Sequence, residues 1–239
     1  MTYRRPRGLT LPILLVFAGA LVGGCAQTAT TVRTEKWQRI ASAARVVLMP
    51  PDIELSELSA GGVVELKAEW TERAKGHVLA ALRAEIDRRN AHLGPYRAPA
   101  DNPAREHAHN QLLKLHDQVG RAILVHHYGV AKLPNKDGKF DWTLGEGAGV
   151  LAEDQAADYA LFVFLRDSYA SAGRKAAIVG AALLGVAMPG GTQWGFASLV
   201  DLKSGDLVWF NRLVDPQGDL REPAPAGEAV KKLLADLPL

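Results

Sequence analysis

Five of the chain's seven histidines, His107, His109, His116, His126 and His127, crowd one segment of 21 residues. Two imidazoles on a helix share a metal ion when they stand three or four residues apart, because only then do both rings reach one point. His109 and His116 are seven apart, which is about 10.5 Å along a helix axis, and His116 and His126 are farther still. Glu106-His107 opens like a zinc-protease helix, but Asn110 and Gln111 stand where the second histidine is needed. The segment therefore reads as the solvated face of a helix, with no metal site and no cofactor.

Other stretches fail for equally concrete reasons. If Gly138 is the turning glycine of a calcium loop, the first and last ligand positions fall on Leu133 and Leu144, which carry no oxygen to offer. "GEGAGV" at 145–150 has the outline of a dinucleotide loop, yet Val150 replaces the third glycine and Glu146 would repel a pyrophosphate. No G-x-S-x-G elbow and no S-x-x-K is present. Asp52, Glu54 and Glu57 could supply paired carboxylates, although their spacing equally suits a wet strand edge. No catalytic residue is assigned, because no nucleophile, base and orienting group fall together.

Cys25 is the one cysteine of the chain. Ahead of it, Arg4, Arg5 and Arg7 form a basic head, and an apolar stretch runs from Leu9 to Val22, broken by Thr10, Pro12 and Gly19. That stretch is short of the roughly 20 apolar residues a bilayer core requires. Residues 1–24 thus read as a cleavable secretory signal. Leu21-Val22-Gly23-Gly24-Cys25 resembles the lipobox of bacterial lipoproteins. The resemblance implies that the Cys25 thiol takes a diacylglycerol, that the chain is cut before it, and that palmitate-type acyl chains tie the product to a membrane. Two or three chains make a lasting anchor where one would be marginal. Ala26 stands where an aspartate, in lipoproteins of diderm bacteria, goes with inner-membrane retention. The implied location is the outer membrane, facing the periplasm.

Removing 1–24 takes three of the 28 basic residues and none of the 26 acidic ones, so the mature net charge is −1. The basic balance of the whole chain belongs to the signal, and nothing argues for nucleic acid as a partner. With no further cysteine, the body folds without disulfides in an oxidising compartment.

Polar, threonine-rich residues 26–36 read as a flexible tether, so that 25–43 is lipidated cysteine and leash and 44–239 is a single domain. Arg45–Met49, stopped by Pro50-Pro51, predicts a buried first strand, and 52–58 a short strand or extended edge. Leu66, Trp70, Ala74, Val78, Leu82 and Ile86 recur every fourth residue and predict an amphipathic helix over 66–92. A second helix is expected over 103–127, with Leu112, Leu115, Val119 and Ile123 on its inner face, Pro103 suiting its first turn. Lys139–Leu144 could form a short strand and 148–156 a brief helix. Residues 158–170 read as a central strand. Residues 196–214 read as two alternating runs joined by Lys203-Ser204-Gly205-Asp206, a hairpin. A last helix is expected over 228–237. Together these predict an α+β domain, a mixed sheet with helices packed on it and a late antiparallel hairpin.

Between the last strands lies "AAIVGAALLGVAMPGG", 176–191, whose first thirteen residues carry no polar side chain. Ala177, Ala181 and Gly185 fall at four-residue spacing and would line one helical face, letting another backbone approach closely. The expectation is a buried core helix, with a subunit interface or a membrane-dipping segment as the alternatives.

Leu199-Val200-Asp201, Gly205 and Trp209 match a hairpin of the type L-V-D-x-x-x-G-x-x-x-W, and "RVVLMPP" matches an early strand ended by proline. In these features the chain resembles the amino-terminal domain of TolB and the periplasmic domain of curli-secretion lipoproteins. The resemblance implies a fold and a compartment, and it names no catalytic residue. The function expected is a non-enzymatic structural or assembly component of the cell envelope. Its partners would be the bilayer, through acylated Cys25, and further copies of itself or another envelope protein. The alternative is a ligand-binding or hydrolytic periplasmic lipoprotein whose site combines Arg166, Asp167 and the histidine segment.

Overall fold

A computed structural model describes residues 26–33, 44–89 and 93–239. The signal, Cys25 and 34–43 lie outside the described residues. Among the described residues, eight strands form one mixed sheet: β1 (Gln27–Val32), β2 (Val46–Leu48), β3 (Asp52–Leu58), β4 (Val64–Leu66), β5 (Leu93–Pro95), β6 (Tyr159–Ala170), β7 (Gln193–Asp201) and β8 (Leu207–Asp215). The α-helices of the described residues pack around it: α1 (Ala68–Arg88), α2 (Pro103–Ile123), α3 (Gly149–Gln155), α4 (Ala172–Leu183) and α5 (Pro223–Leu233). The fold is α+β, as the patterning predicts.

The sheet is organised on β6. Its sequence, "YALFVFLRDSYA", is nearly continuous in apolar residues because both of its faces are covered. Leu161, Val163 and Leu165 point into a core closed by α1 and α5, whereas Phe162 and Phe164 point into a second core closed by α2 and α3. Along one edge, β7 pairs antiparallel with β6, β8 with β7, and β1 with β8. Along the other, β2 runs parallel to the first residues of β6 and β3 parallel to the last seven. Pro50-Pro51 lies between β2 and β3: proline cannot donate to a ladder, so one long strand becomes two. Gly205, with φ of +75°, closes the β7–β8 turn as the hairpin reading requires.

Several boundaries differ from the sequence reading. Residues 27–32, expected in the tether, form the edge strand β1, whose threonines suit a pleated surface. The strand is pinned: the Tyr128 hydroxyl donates to the Ala29 carbonyl at 2.9 Å, and Arg33 pairs with Asp206 at 3.2 Å. Leu66 belongs to β4 and is exposed, so α1 starts two residues later. Helix α2 ends at Ile123 and continues as one π-helical turn over Leu124–Tyr128. Leu115, expected on its inner face, is exposed. Lys139–Leu144 forms no strand, only a single bridge from Thr143 to Asp206. Helix α5 starts at Pro223, where a first-turn proline loses no intrahelical bond.

Candidate functional site

Strand register fixes which segments share an end of the sheet. Gln27 lies opposite Val214, Gln193 opposite Asp215, and Asp167 opposite Gln193. The start of β1 is therefore level with the start of β7 and the ends of β6 and β8. Strand β3, parallel to β6, also ends here, and its hairpin into β4 projects from the same end.

Helix α4 caps that end between β6 and β7. Ser171 opens it, its Oγ accepting from the Arg174 amide at 3.1 Å, and the Ser171 amide in turn donates to the Leu58 carbonyl at 3.0 Å. Arg174 is the buried residue of α4; its Nε and Nη2 donate to the Pro189 carbonyl at 3.1 and 2.9 Å and tie the helix to its return loop. A Cβ on Gly191 would collide with the Ser168 carbonyl, so the returning chain presses directly on β6.

The expectation of a buried core helix over 176–191 is corrected. Ala177 and Ala181 are half-buried, while Leu183 and Leu184 are 84% and 82% exposed and Val179 and Val186 are exposed as well. Gly185 lines no helical face. It follows the helix end with φ of +74°, and a Cβ there would meet nothing within 4 Å. Both faces of the sheet already carry their helices, so among the described residues no element remains to cover α4. The neighbouring hairpin is equally bare: Val63, Val64 and Leu66 are all exposed.

Beneath α4 the buried Asp167 carboxylate accepts through Oδ2 from the Tyr169 hydroxyl, from the Leu220 amide at 3.0 Å and from Gln193 Nε2 at 3.3 Å. Asp167 Oδ1 and Gln193 Oε1 are buried with no partner among the described residues. Burial, and then the Asp219 charge, push the carboxyl up to about 6 against its three hydrogen bonds. Arg221 stacks on Tyr169 with 3.6 Å from its guanidinium carbon to the ring centre.

The histidines are not one solvated face. His116 is buried against Phe162, ring centres 4.6 Å apart, and its Nε2 lies 2.6 Å from Ser198 Oγ. Burial pushes it down to about 3, so it stays neutral. His109 is fully buried between the Tyr96 hydroxyl and the Asp154 carboxylate, each at 2.9 Å. A sequence pattern cannot separate these two from their exposed neighbours, because their partners lie on other elements. His107 meets Gln111 at 2.9 Å, and His126 meets the Ala131 carbonyl at 2.6 Å. Among the described residues no group of three or more His, Cys, Asp or Glu could hold a metal.

The alternative site does not assemble. Arg166 points to the α2 face, over Phe164 and paired with Asp52 at 2.8 Å, while Asp167 points to the α1 face. Asp52 and Glu54 both face Arg166, and Glu57 pairs with Lys67 at 2.9 Å, so these carboxylates are ion-pair partners. A cavity of about 740 Å³ opens between the β2–β3 bend, α1 and β5, with Leu48, Ile53, Leu79, Leu93 and Tyr96 in its wall. Tyr96 joins it to His109. Burial, with the charges of Glu106 and Asp154, pushes the Tyr96 phenol up, so the hydroxyl keeps its proton.

No protein-family model matches the chain, and no curated protein matches it. Among solved structures it is similar to a PelC dodecamer from Paraburkholderia phytofirmans, with 12% identity and a TM-score of 0.40, covering 88% of this chain and 96% of that one. A substituted form of that dodecamer gives 14% identity, a TM-score of 0.39, and coverage of 90% and 98%.

Proposed function

We propose that this chain is an envelope lipoprotein, joined to the outer membrane by acyl chains on Cys25 and facing the periplasm. Its body serves there as a non-enzymatic structural or assembly component that associates with itself or with an envelope protein. The observation that carries this reading is the place of β1. Its first residue, Gln27, is two residues beyond Cys25 and already hydrogen-bonded into the sheet. Two residues span at most about 7 Å, so a lipid on Cys25 would hold the folded body against the bilayer with almost no slack. The histidines support the non-enzymatic part, since His109 and His116 are consumed by internal hydrogen bonds.

Expression of the full chain in a diderm host tests it, followed by mass analysis of the mature amino terminus and native mass measurement in detergent. The expected product begins at Cys25, carries two or three acyl chains and assembles beyond a monomer. An uncut chain with an unmodified thiol overturns the anchor, and an acylated monomer overturns self-association.

One observation favours the ligand-binding alternative: the Asp154–His109–Tyr96 chain ends on the wall of the 740 Å³ cavity. A small molecule retained by the purified protein and lost on Tyr96→Phe would select it.

A further inference from the structure

Of the ten exposed large apolar side chains among the described residues, seven are gathered at one end of the sheet, the end that holds the start of β1, while Leu115, Val125 and Val130 lie on α2 and the turn after it. Helix α4 and its return loop supply Val179, Leu183, Leu184 and Val186, and the β3–β4 hairpin supplies Val63, Val64 and Leu66. The two segments touch: the Ser171 amide donates to the Leu58 carbonyl at 3.0 Å. Between Ser171 and Thr192 there is no acidic residue, and of the two cations Arg174 is turned inward on Pro189. Glu57 and Glu65, cross-strand partners in the middle of the hairpin, both pair with Lys67 at 2.9 Å, which offsets one of the two carboxylate charges beside Val64 and Leu66.

We infer that this end lies in the headgroup–acyl boundary of the same leaflet that receives the Cys25 lipid. The inference rests on the lipoprotein reading and adds an orientation to it. Gln27 stands on this end by register, and three strand spacings of about 4.8 Å put β6, which leads into α4, roughly 14 Å from it. An anchor on Cys25 therefore brings α4 down onto the membrane surface. Helix α4 has twelve residues, about 18 Å at 1.5 Å each, and among the described residues no helix is long and apolar enough to cross a membrane. A short helix with an aliphatic outer face and one outward lysine, Lys175, in its first turn lies in the interface instead of spanning it. The occupant is a phospholipid leaflet; a second copy of the chain is the competing outcome.

The test uses the fact that Cys25 is the chain's one cysteine. In the mature lipoprotein its sulfur is a thioether, so an added cysteine becomes the unique labelling site. Leu184→Cys on the α4 end, Val64→Cys on the hairpin and Lys203→Cys on the opposite, β7–β8 end are each labelled with bimane. Each is reconstituted into vesicles of phosphatidylethanolamine and phosphatidylglycerol.

The expected result is blue-shifted emission at 184 and 64, quenched by nitroxide carried on the lipid chains and protected from iodide, with the reverse at 203. Iodide quenching at 184 and 64 as strong as at 203 overturns the inference. So does protection from both quenchers that is lost on dilution, which identifies a second copy as the cover. The label count separates this from the anchor itself: two bimanes per chain mean a free Cys25 thiol and sink the lipoprotein reading, whatever the quenching at 184.

Discussion

His116 Nε2 lies 2.6 Å from Ser198 Oγ in the interior, joining α2 to β7 across a layer of stacked phenylalanines. It is one of the contacts that hold this histidine-rich helix on the sheet, beside the packing of Leu112, Gly120 and Ile123, and it sets a pH limit on the fold.

The folded His116 takes a proton only at about 3, against 6.5 when unfolded. The unfolded chain thus binds the proton first, and stability falls as pH drops from about 6.5 toward 3, by several kcal/mol in all. Replacing both partners, His116→Leu with Ser198→Ala, removes the buried polar pair together and costs less than about 2 kcal/mol at neutral pH. Urea melts from pH 7 to 4 should show a flatter stability profile for the double variant than for the parent. Equal slopes would mean that His116 is not the group that titrates.

Asp167 works in the opposite direction. Its folded carboxyl, raised to about 6 from 3.8, is protonated before that of the unfolded chain, so its contribution improves as pH falls through 6 toward 3.8. At pH 7 the buried carboxylate is a net cost, and Asp167→Asn should stabilise by roughly 1–3 kcal/mol. Thermal melts at pH 7 check this, and a clear loss of stability would show that the charge is needed at this end of the sheet.

Gly120 on α2 lets Phe196 on β7 pack against the helix backbone, and a Cβ there would strike the phenyl ring. Gly120→Ala should cost about 1–3 kcal/mol by overpacking, despite alanine's better helix propensity. Combined with Phe196→Leu, the same change should become close to neutral. A double-mutant cycle reads the coupling directly.

Gly185 sits just past the end of α4 with φ of +74° and open space around it. Gly185→Leu should lower stability by only about 1 kcal/mol, from left-handed strain, and Gly185→Asn by less. A loss several times larger in thermal melts would restore the close-packed face that the four-residue spacing suggested.

The elements easiest to read were those whose environment is uniform along their length. Strand β6 is apolar throughout because it has a core on each side, and α1 repeats every fourth residue because one neighbour layer runs its whole length. Strand β1 was missed because an edge strand of threonines has the composition of a linker; what makes it a strand is the free edge of β8 and the Tyr128 hydroxyl. His109 and His116 were misjudged because their partners, Tyr96, Asp154 and Ser198, stand 13, 45 and 82 residues away.

The sequence by itself determined the α+β class, the central strand and late hairpin, and the lone cysteine behind a signal-like leader. Only the tertiary structure decided where the apolar run after β6 goes. A pattern of side chains states that a segment has a greasy face, and it does not count the faces still available to receive it. Helices α1 and α5 cover one side of the sheet and α2 and α3 the other. That left α4 at the end of the strands with its leucines outward, at the same end of the sheet as the residues that follow Cys25.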